Sequence, residues 1–485
     1  MDQQKQRISV VAPRLNRGSF LIDTQLMIAD RTQKKWRSLR SHLVMAALIL
    51  LGVAARVAWV SIPAYNSLTG DSVAYDFAAA QLAHHGTLLQ PSDAVMFDAP
   101  ELIAQGAPRA EPLHDWAPGY PLFLGVVYSV AGAGPDARKL SAVLLAIMAG
   151  ILLPLLALEL WRDLDSAPAA WRWVVVAAVA LWPSSILIER LMYSENLTVL
   201  VFTVWTVMLA RLLLGIRSAT VGRLVCCGAT GGLLYLVRVE FAPIVVLGAI
   251  LCGLACQTKG QIDAAAPHRF ALKAPALVLA AFAPFVIGVS IWNGVQFGKI
   301  TPMTSVGGTN LWNAAIRSDA LDFSPGGKNR QVFLRSYVPG KPFETDRNLR
   351  RIALRIIQLD PLAYVGGVIA RWKAVNLEEY GEPAVRGKPW PYWVWRGVLR
   401  SCKIALVIGC ALALPLLWKR SRAITILLAG GYVYKCLGLH GLLNGQARQF
   451  YPFYAVGLAV AAIGWSAAWN YLRSQWGEGR AEAAG

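Results

Sequence analysis

Three kinds of side chain in this 485-residue chain stand where chemistry could be done: two acids, a few arginines and the tyrosines beside them. Asp71 opens the segment GDSVAYDFAAAQLAHHG at Gly70 to Gly86, just after the first long apolar run. At helical spacing Asp71, Ala74, Tyr75 and Ala78 share one face, which presents an acid and a phenol together. An acid in a first turn also serves as a cap or dipole partner. The sharper reading is a general base held where a span leaves the membrane. The second acid, Glu195, lies in ERLMYSENLTVL beside Tyr193 and Ser194, in a short turn between two apolar runs. Ser194 could simply cap the next helix. A carboxylate at the centre of the hydrocarbon costs about 2.5 to 3.5 kcal/mol, so Glu195 is expected at the aqueous edge, on the side of Asp71. Arg238 in LVRVEF, Arg448 in GQARQFYPFY and Arg138 end or begin apolar runs. Guanidinium groups there can hold a phosphate bidentately, or can anchor a helix by snorkelling. Glu240 is placed to pair with Arg238. His84, His85, His114 and His440 show no ligand spacing, and there is no P-loop, HExxH or GxSxG. No metal site is expected, although a divalent cation beside the acids is compatible with the sequence.

The elements that must carry these groups are membrane spans. The chain is 56% hydrophobic and 15% charged, with a mean hydropathy of +0.45, whereas a soluble protein carries about 25% charged residues. That excludes a water-soluble enzyme, a disordered or collagenous chain and a disulfide scaffold. An all-α polytopic membrane protein remains. Apolar runs of span length cover about 43–62, 139–160, 171–189, 196–214, 221–237, 240–256, 274–292, 398–418, 423–440 and 449–469. An eleventh run from Pro118 to Gly134 has only about 14 apolar residues and reads as interfacial or re-entrant.

Charge parity chooses among the topologies. If Pro118–Gly134 does not cross, Arg162, Arg172, Arg211, Arg217, Arg223, Lys259, Arg269, Lys273, Lys419, Arg420 and Arg422 share the side of the basic N-terminal tail. The opposite short loops hold only Arg190, Arg238 and Arg448. The positive-inside rule then predicts ten spans with both termini cytoplasmic. The domains follow: 1–42, a basic cytoplasmic tail, mostly disordered; 43–292, an N-terminal transmembrane module with a first periplasmic loop at 63–138; 293–397, a periplasmic loop with amphipathic helices; 398–470, C-terminal transmembrane helices; 471–485, a cytoplasmic tail. No cleavable signal peptide is expected, because the first apolar run follows about 40 polar, basic residues. The first outer loop is acidic. The second, basic one contains NLRRIALRIIQ at Asn348–Gln358, an amphipathic pattern suited either to a bilayer surface or to an ordinary loop helix. All seven Cys fall in or beside apolar runs, so no outer disulfide is expected. The net charge of +19 divides between orientation signals and the outer loop, and needs no nucleic acid.

The order of motifs resembles the GT-C superfamily of membrane glycosyltransferases, in the branch of protein O-mannosyltransferases and lipid A aminoarabinose transferases. The similar features are GDSVAYDFAAAQLAHHG, APGYPLFLG, LMYSENLTVL, LVRVE, WNGVQFGKITPMTSVGGTNLWNA and ARQFYPFYAVGLAV, which together cover residues 50–470. Ser72 stands where relatives have a second acid, and Ala117-Pro118 where many have Pro-Pro. The resemblance implies sugar transfer from a polyprenyl-phosphate donor to a hydroxyl of a lipid, glycan or protein acceptor at the outer face, with inversion. It makes Asp71 and Glu195 the catalytic acids and Arg238 and Arg448 the phosphate-binding cations; Tyr75, Arg138 and Tyr193 stand beside them in the sequence as further candidate substrate contacts. A transporter or flippase of lipid-linked sugars, or a polysaccharide ligase working through the long basic loop, are the alternatives. The chain shows no paired halves of the kind many transporters have.

Overall fold

The computed structural model describes residues 17–62, 68, 71–96, 99–104, 106–164, 170–258, 267–316, 327–378, 392–443 and 447–482. The first 16 residues of the expected tail, Gly70, Asp98 and residues 379–391 of the second loop lie outside the described residues. In chain order the elements are α1 (Arg17–Ser61), α2 (Asp71–His85), β1 (Leu89–Pro91), α3 (Asp93–Met96), α4 (Pro100–Ala104), β2 (Ala110–Pro112), α5 (Gly119–Ala131), α6 (Pro135–Leu164) and α7 (Trp171–Ala180). There follow α8 (Pro183–Glu189), α9 (Glu195–Leu214), α10 (Val221–Val237), α11 (Ala242–Thr258), α12 (Pro267–Phe297), α13 (Gly307–Ala315), α14 (Lys328–Ser336) and α15 (Pro342–Leu359). The last are α16 (Pro361–Leu377), α17 (Tyr392–Arg420), α18 (Arg422–Tyr432), a π-helical stretch Val433–Leu439, α19 (His440–Leu442), a 3-10 stretch Ala447–Phe453 and α20 (Tyr454–Glu482). The chain divides after Leu48 into a short N-terminal unit and a large unit from Ile49 onward. Helix α1 begins at Arg17, inside the polar, basic 1–42 tail that is expected from the sequence to be mostly disordered.

Among the described residues nine helices are long and apolar enough to cross a membrane. They match nine of the ten expected runs. The tenth, α10, has 17 residues, about 26 Å at 1.5 Å per residue. Helix α5, with 13 residues, reaches only about 20 Å, short of the roughly 30 Å hydrocarbon core. Ion pairs at the helix ends show how the spans alternate. At one end Arg211 of α9 meets Asp163 and Glu159 of α6 at 2.7 and 3.0 Å, and Arg420 of α17 donates to the Asp163 carbonyl at 2.9 Å. At the other end the start of α9, the end of α10 and the start of the 3-10 stretch are joined through Glu195, Arg238 and Arg448. Asp71, shortly after α1, meets Arg448 at that same second end, so α1 ends on the side where α6 begins, which is what parity requires when α5 does not cross.

The two large loops gather at that second end. Strands β1 and β2 pair antiparallel, with Gln90 opposite Glu111. Helices from both loops share a small apolar core built from Leu102, Trp312, Phe333, Leu349 and Ala353. The apolar stripe expected on Asn348–Gln358 is therefore spent inside this core over most of its length, because Leu349 and Ala353 are fully buried and Ile352 and Ile356 pack against them. Helix α16 turns 108° from α15 and runs along the ninth span, with Tyr364 donating to Leu442 O and Tyr432 donating to Asn376.

Candidate active site

The acids and arginines picked out by residue type converge, although nearly 380 positions separate the first from the last. Helix α2 begins at Asp71, whose side chain is 34% exposed and accepts from Arg448 Nη2 at 2.8 Å. Arg448 Nε lies 3.6 Å from Glu195 Oε1, and Arg238 Nη1 meets the same oxygen at 3.0 Å. Arg238 continues to Glu240 at 2.9 Å and donates to Gln449 at 3.2 Å. Glu240 in turn is paired with Lys435 and lies 3.6 Å from His440 Nε2. Acid and base thus alternate from Asp71 to Lys435. Every charge in the chain of contacts has an opposite neighbour, which is what makes burial at a span end affordable.

Local sequence explains how each group is held. Asn196 donates to the Leu191 carbonyl at 2.8 Å and closes the turn before α9. Ser194 makes no side-chain cap bond; its hydroxyl instead accepts from Tyr75 at 3.3 Å. Tyr75 is packed edge-on against Trp116 and Tyr120, with centroids 5.9 and 5.1 Å away. Burial first, and then the Asp71 and Glu195 carboxylates, push the Tyr75 phenol well above its ordinary range, so it is a neutral donor. Helix α5 reaches this place because residue 119 is glycine: a Cβ there would come within 2.7 Å of the Leu236 backbone. The π-helical stretch, a form frequent at functional sites, carries Lys435 and buries it completely. Its ammonium stands 4.3 Å over the Phe241 ring.

Asp71, Tyr75, Asp115, Arg238, Glu240 and Arg448 line one cavity of about 470 Å³. Glu195, only 3% exposed, does not line it; it sits behind the two arginines as their shared counter-ion. Tyr193 is likewise buried, with the Arg448 guanidinium 4.3 Å over its ring. Arg138 is not brought to the cavity. It forms a fork with Asp76 at 2.7 and 2.8 Å, and Tyr128 donates to the same carboxylate at 2.6 Å. Asp76 stands roughly 140° around α2 from Asp71, so its Arg138 partner clamps the back of that helix to α6.

A second cluster forms the opposite wall. His114 lies 2.8 Å from Asp115, 2.6 Å from Ser305 Oγ and 3.1 Å from Glu111. Ser305 donates to Asp115 at 2.8 Å and Gln90 does so at 3.1 Å. Burial alone would push the His114 imidazole down, but the Asp115 and Glu111 carboxylates raise it to about 10. Residue type had not separated this pair from the other loop acids and histidines; only the pairing of β1 with β2 and the approach of Ser305 assemble it. Lys435 was also missed, although a lone lysine inside an apolar run is itself the signal.

Beyond this wall lies an apolar crevice of about 320 Å³, lined by Leu236, Phe285, Gly288, Val289 and Trp292. It shares Trp116, Val239, Met303 and Thr304 with the charged cavity. Its lining on α12 runs from Asn293 back to Pro284, about 14 Å of helix toward the middle of the span. Among the described residues no group of three or more His, Cys, Asp or Glu is arranged to hold a metal ion. All seven Cys are free.

Comparison with known proteins places the fold. No protein-family model matches the sequence, and no curated protein does. Among solved structures, the oligosaccharyltransferase AglB of Archaeoglobus fulgidus in complex with an inhibitory peptide and a dolichol-phosphate superposes with a TM-score of 0.51 at 15% identity. The match covers 90% of this chain and 52% of that one. The same organism's enzyme in complex with Zn and sulfate gives 0.50 at 16% identity, over 88% and 49%. ArnT of Cupriavidus metallidurans bound to undecaprenyl phosphate overlays at 0.33 and 14% identity, over 87% and 77%. The architecture is therefore the GT-C-like fold that the motif order implies. The chain spans about half the length of the archaeal oligosaccharyltransferases it matches.

Proposed function

We propose that this chain is an integral-membrane glycosyltransferase that moves a sugar from a polyprenyl-phosphate donor to an acceptor hydroxyl at the outer face of a bacterial inner membrane. The observation that carries the reading is the junction of a charged cavity with an apolar crevice at one end of the bundle. A donor with an anionic head and an isoprenoid tail has the same two halves. The acceptor oxygen attacks the anomeric carbon while Asp71 takes its proton. The bond from that carbon to the phosphate oxygen breaks, and the electron pair leaves on the lipid phosphate beside Arg448 and Arg238. Displacement in one step inverts the anomeric centre. Tyr75, which lines the cavity, turns its hydroxyl from Ser194 to donate to the substrate, Glu195 and Tyr193 hold the arginines, and Arg138 acts only through α2. The fold is one in which an archaeal oligosaccharyltransferase was captured with a dolichol-phosphate. Arg162, Arg211, Arg217, Arg223, Lys419, Arg420 and Arg422 lie at helix ends and the turn between them at the end away from the site, which supports a periplasmic site and cytoplasmic termini.

The test is direct. Purified protein is incubated with defined polyprenyl-phosphate sugars and acceptor extracts, and released polyprenyl phosphate is measured. Asp71→Asn should lower release by about 10²- to 10⁴-fold, the range of a lost general base, with thermal unfolding unchanged. A fully active Asn variant removes Asp71 from the mechanism. Transport of intact donor across vesicles without any release would move the chain to the flippases.

A further inference from the structure

Arg56 lies inside the first span, five residues before α1 ends, and is completely buried. One arm of its guanidinium, Nη1, is paired with Glu189. The other, Nη2, donates to the carbonyls of Val179 and Ala180 at 3.0 and 3.2 Å, to Ser185 Oγ at 2.8 Å and to Tyr454 OH at 3.4 Å. The sequence shows why those carbonyls need an outside donor. Pro183 stands four residues after Val179 and has no N–H to return to it, so the third span breaks between α7 and α8.

The same pair reaches both carriers of the candidate site. Glu189 is the last residue of α8 and is followed by the turn that delivers Glu195. Tyr451 donates to Glu189 at 3.4 Å and stacks on Tyr454 at 5.0 Å; it lies three residues after Arg448 in the same 3-10 stretch. Further bonds fuse the turn to α1, from Arg190 to the Ile62 carbonyl at 2.5 Å and from Trp59 to the Leu187 carbonyl at 3.3 Å. Desolvating a charged pair can outweigh its mutual attraction, and well-packed apolar residues often replace such a pair without loss of stability. Stability therefore does not call for the charge pair itself, although the fork of Arg56 to the Val179 and Ala180 carbonyls contributes to it.

We propose that Arg56 and Glu189 are positioning residues that set the turn of Glu195 and the stretch of Arg448 in register, so that Arg448 bridges Asp71 and Glu195. The inference rests on the glycosyl-transfer reading. Neither side chain touches the cavity, so the pair acts through the backbone segments it ties together. A displacement of about 1 Å at a reacting centre can cost roughly 10²-fold in rate.

The test uses the full chain in nanodiscs. The double variant Arg56→Met/Glu189→Met removes both charges at once and leaves no unpaired charge, although the Val179 and Ala180 carbonyls lose their outside donor. It should stay folded, keep the donor KM within about twofold, and lose at least about tenfold in kcat. A folded double variant with wild-type kcat overturns the proposal. Should the double variant fail to fold, Arg56→Lys decides. It keeps the charge opposite Glu189 but cannot fork to the two carbonyls, so kcat should fall at unchanged KM; unchanged kcat overturns the proposal. If the wild-type protein releases no lipid phosphate from any donor, the glycosyl-transfer reading fails instead.

Discussion

The charged cavity and the apolar crevice share four residues yet are built on opposite principles. The charged side of the cavity draws on five stretches of sequence, with Asp71, Arg238 and Arg448 at its wall and Glu195 and Lys435 behind them, held by ion pairs that cross between spans. The crevice is lined by one face of α12, by Leu236 at the end of α10 and by loop residues such as Leu88, Leu113 and Pro118, most of them apolar. Between them runs the short segment His114-Asp115-Trp116, with His114 on the crevice side, Asp115 on the cavity side and Trp116 on both. The contrast shows that position in the cavity is a property of the whole assembly, whereas width in the crevice is set by single residues. Changes on the two sides should therefore separate what a donor's head requires from what its tail requires.

The largest effect is expected on the head side. Arg238 uses separate nitrogens for Glu195, Glu240 and Gln449. Arg238→Lys keeps one positive charge, which avoids leaving two buried acids uncompensated, but loses the planar fork. Release of lipid phosphate should fall by roughly 10²-fold, comparable to removing one donor from an oxyanion site. The loss should be equal for short- and long-chain donors when their kcat/KM values are measured side by side. A loss confined to long-chain donors would erase the distinction between head and tail.

How much of this was legible in the sequence follows from the same contrast. The spans were, because the spacing of apolar runs needs only local information; even the non-crossing of α5 followed from its short apolar length and from charge parity. Asp71, Arg238 and Arg448 were legible as charges at span ends, where such residues are few. Their mutual contacts were not. Arg138 has the same residue type and the same kind of position as Arg238, and only packing sends it to Asp76 rather than to the cavity. Glu195 looked like an exposed acid because insertion cost places it at the edge, yet two arginines allow it to be buried there. The apolar stripe of Asn348–Gln358 is consistent with a bilayer or with a loop core, and periodicity cannot tell which partner will cover it.

An intermediate effect is expected on the tail side. Gly288 lines the crevice, and a Cβ placed there meets nothing within 4 Å. Gly288→Phe should therefore fill the crevice without forcing the backbone apart. For a long-chain polyprenyl-phosphate sugar, KM should rise about tenfold, while a donor of one or two isoprene units stays within about twofold. A tenfold change corresponds to about 1.4 kcal/mol, which is within what burying a few apolar carbons contributes. If both donors lose equally, the crevice does not hold the tail. If the KM for the acceptor rises instead, the crevice belongs to a lipid acceptor.

The smallest effect on turnover, but a distinct signature in stability, is expected at the partition. His114 carries its charge between Asp115 and Glu111, and its imidazole is raised to about 10 from an ordinary value near 6.5. A group whose affinity for its proton is raised by folding contributes stability that is complete below the unfolded value and is lost as pH climbs through the folded one. The His114 contribution should thus be full below about pH 6.5, decline steadily above it and be gone beyond about pH 10. Asp115 behaves oppositely at the acid end: the His114 charge and the Ser305 and Gln90 donors outweigh burial and lower it, so its contribution fails as pH falls through its folded value. His114→Gln retains a hydrogen-bonding group without a titrating charge. At neutral pH its turnover should stay within about threefold of wild type, because neither Asp71 nor the arginines of the cavity are touched. Its thermal unfolding temperature should be lower at pH 7 and flatter between pH 7 and 10 than that of the wild-type protein. Parallel alkaline slopes would mean that the partition is held by its hydrogen bonds alone. A collapse of turnover at neutral pH would mean instead that head and tail sites are not independent, and that this wall takes part in the chemistry of the cavity.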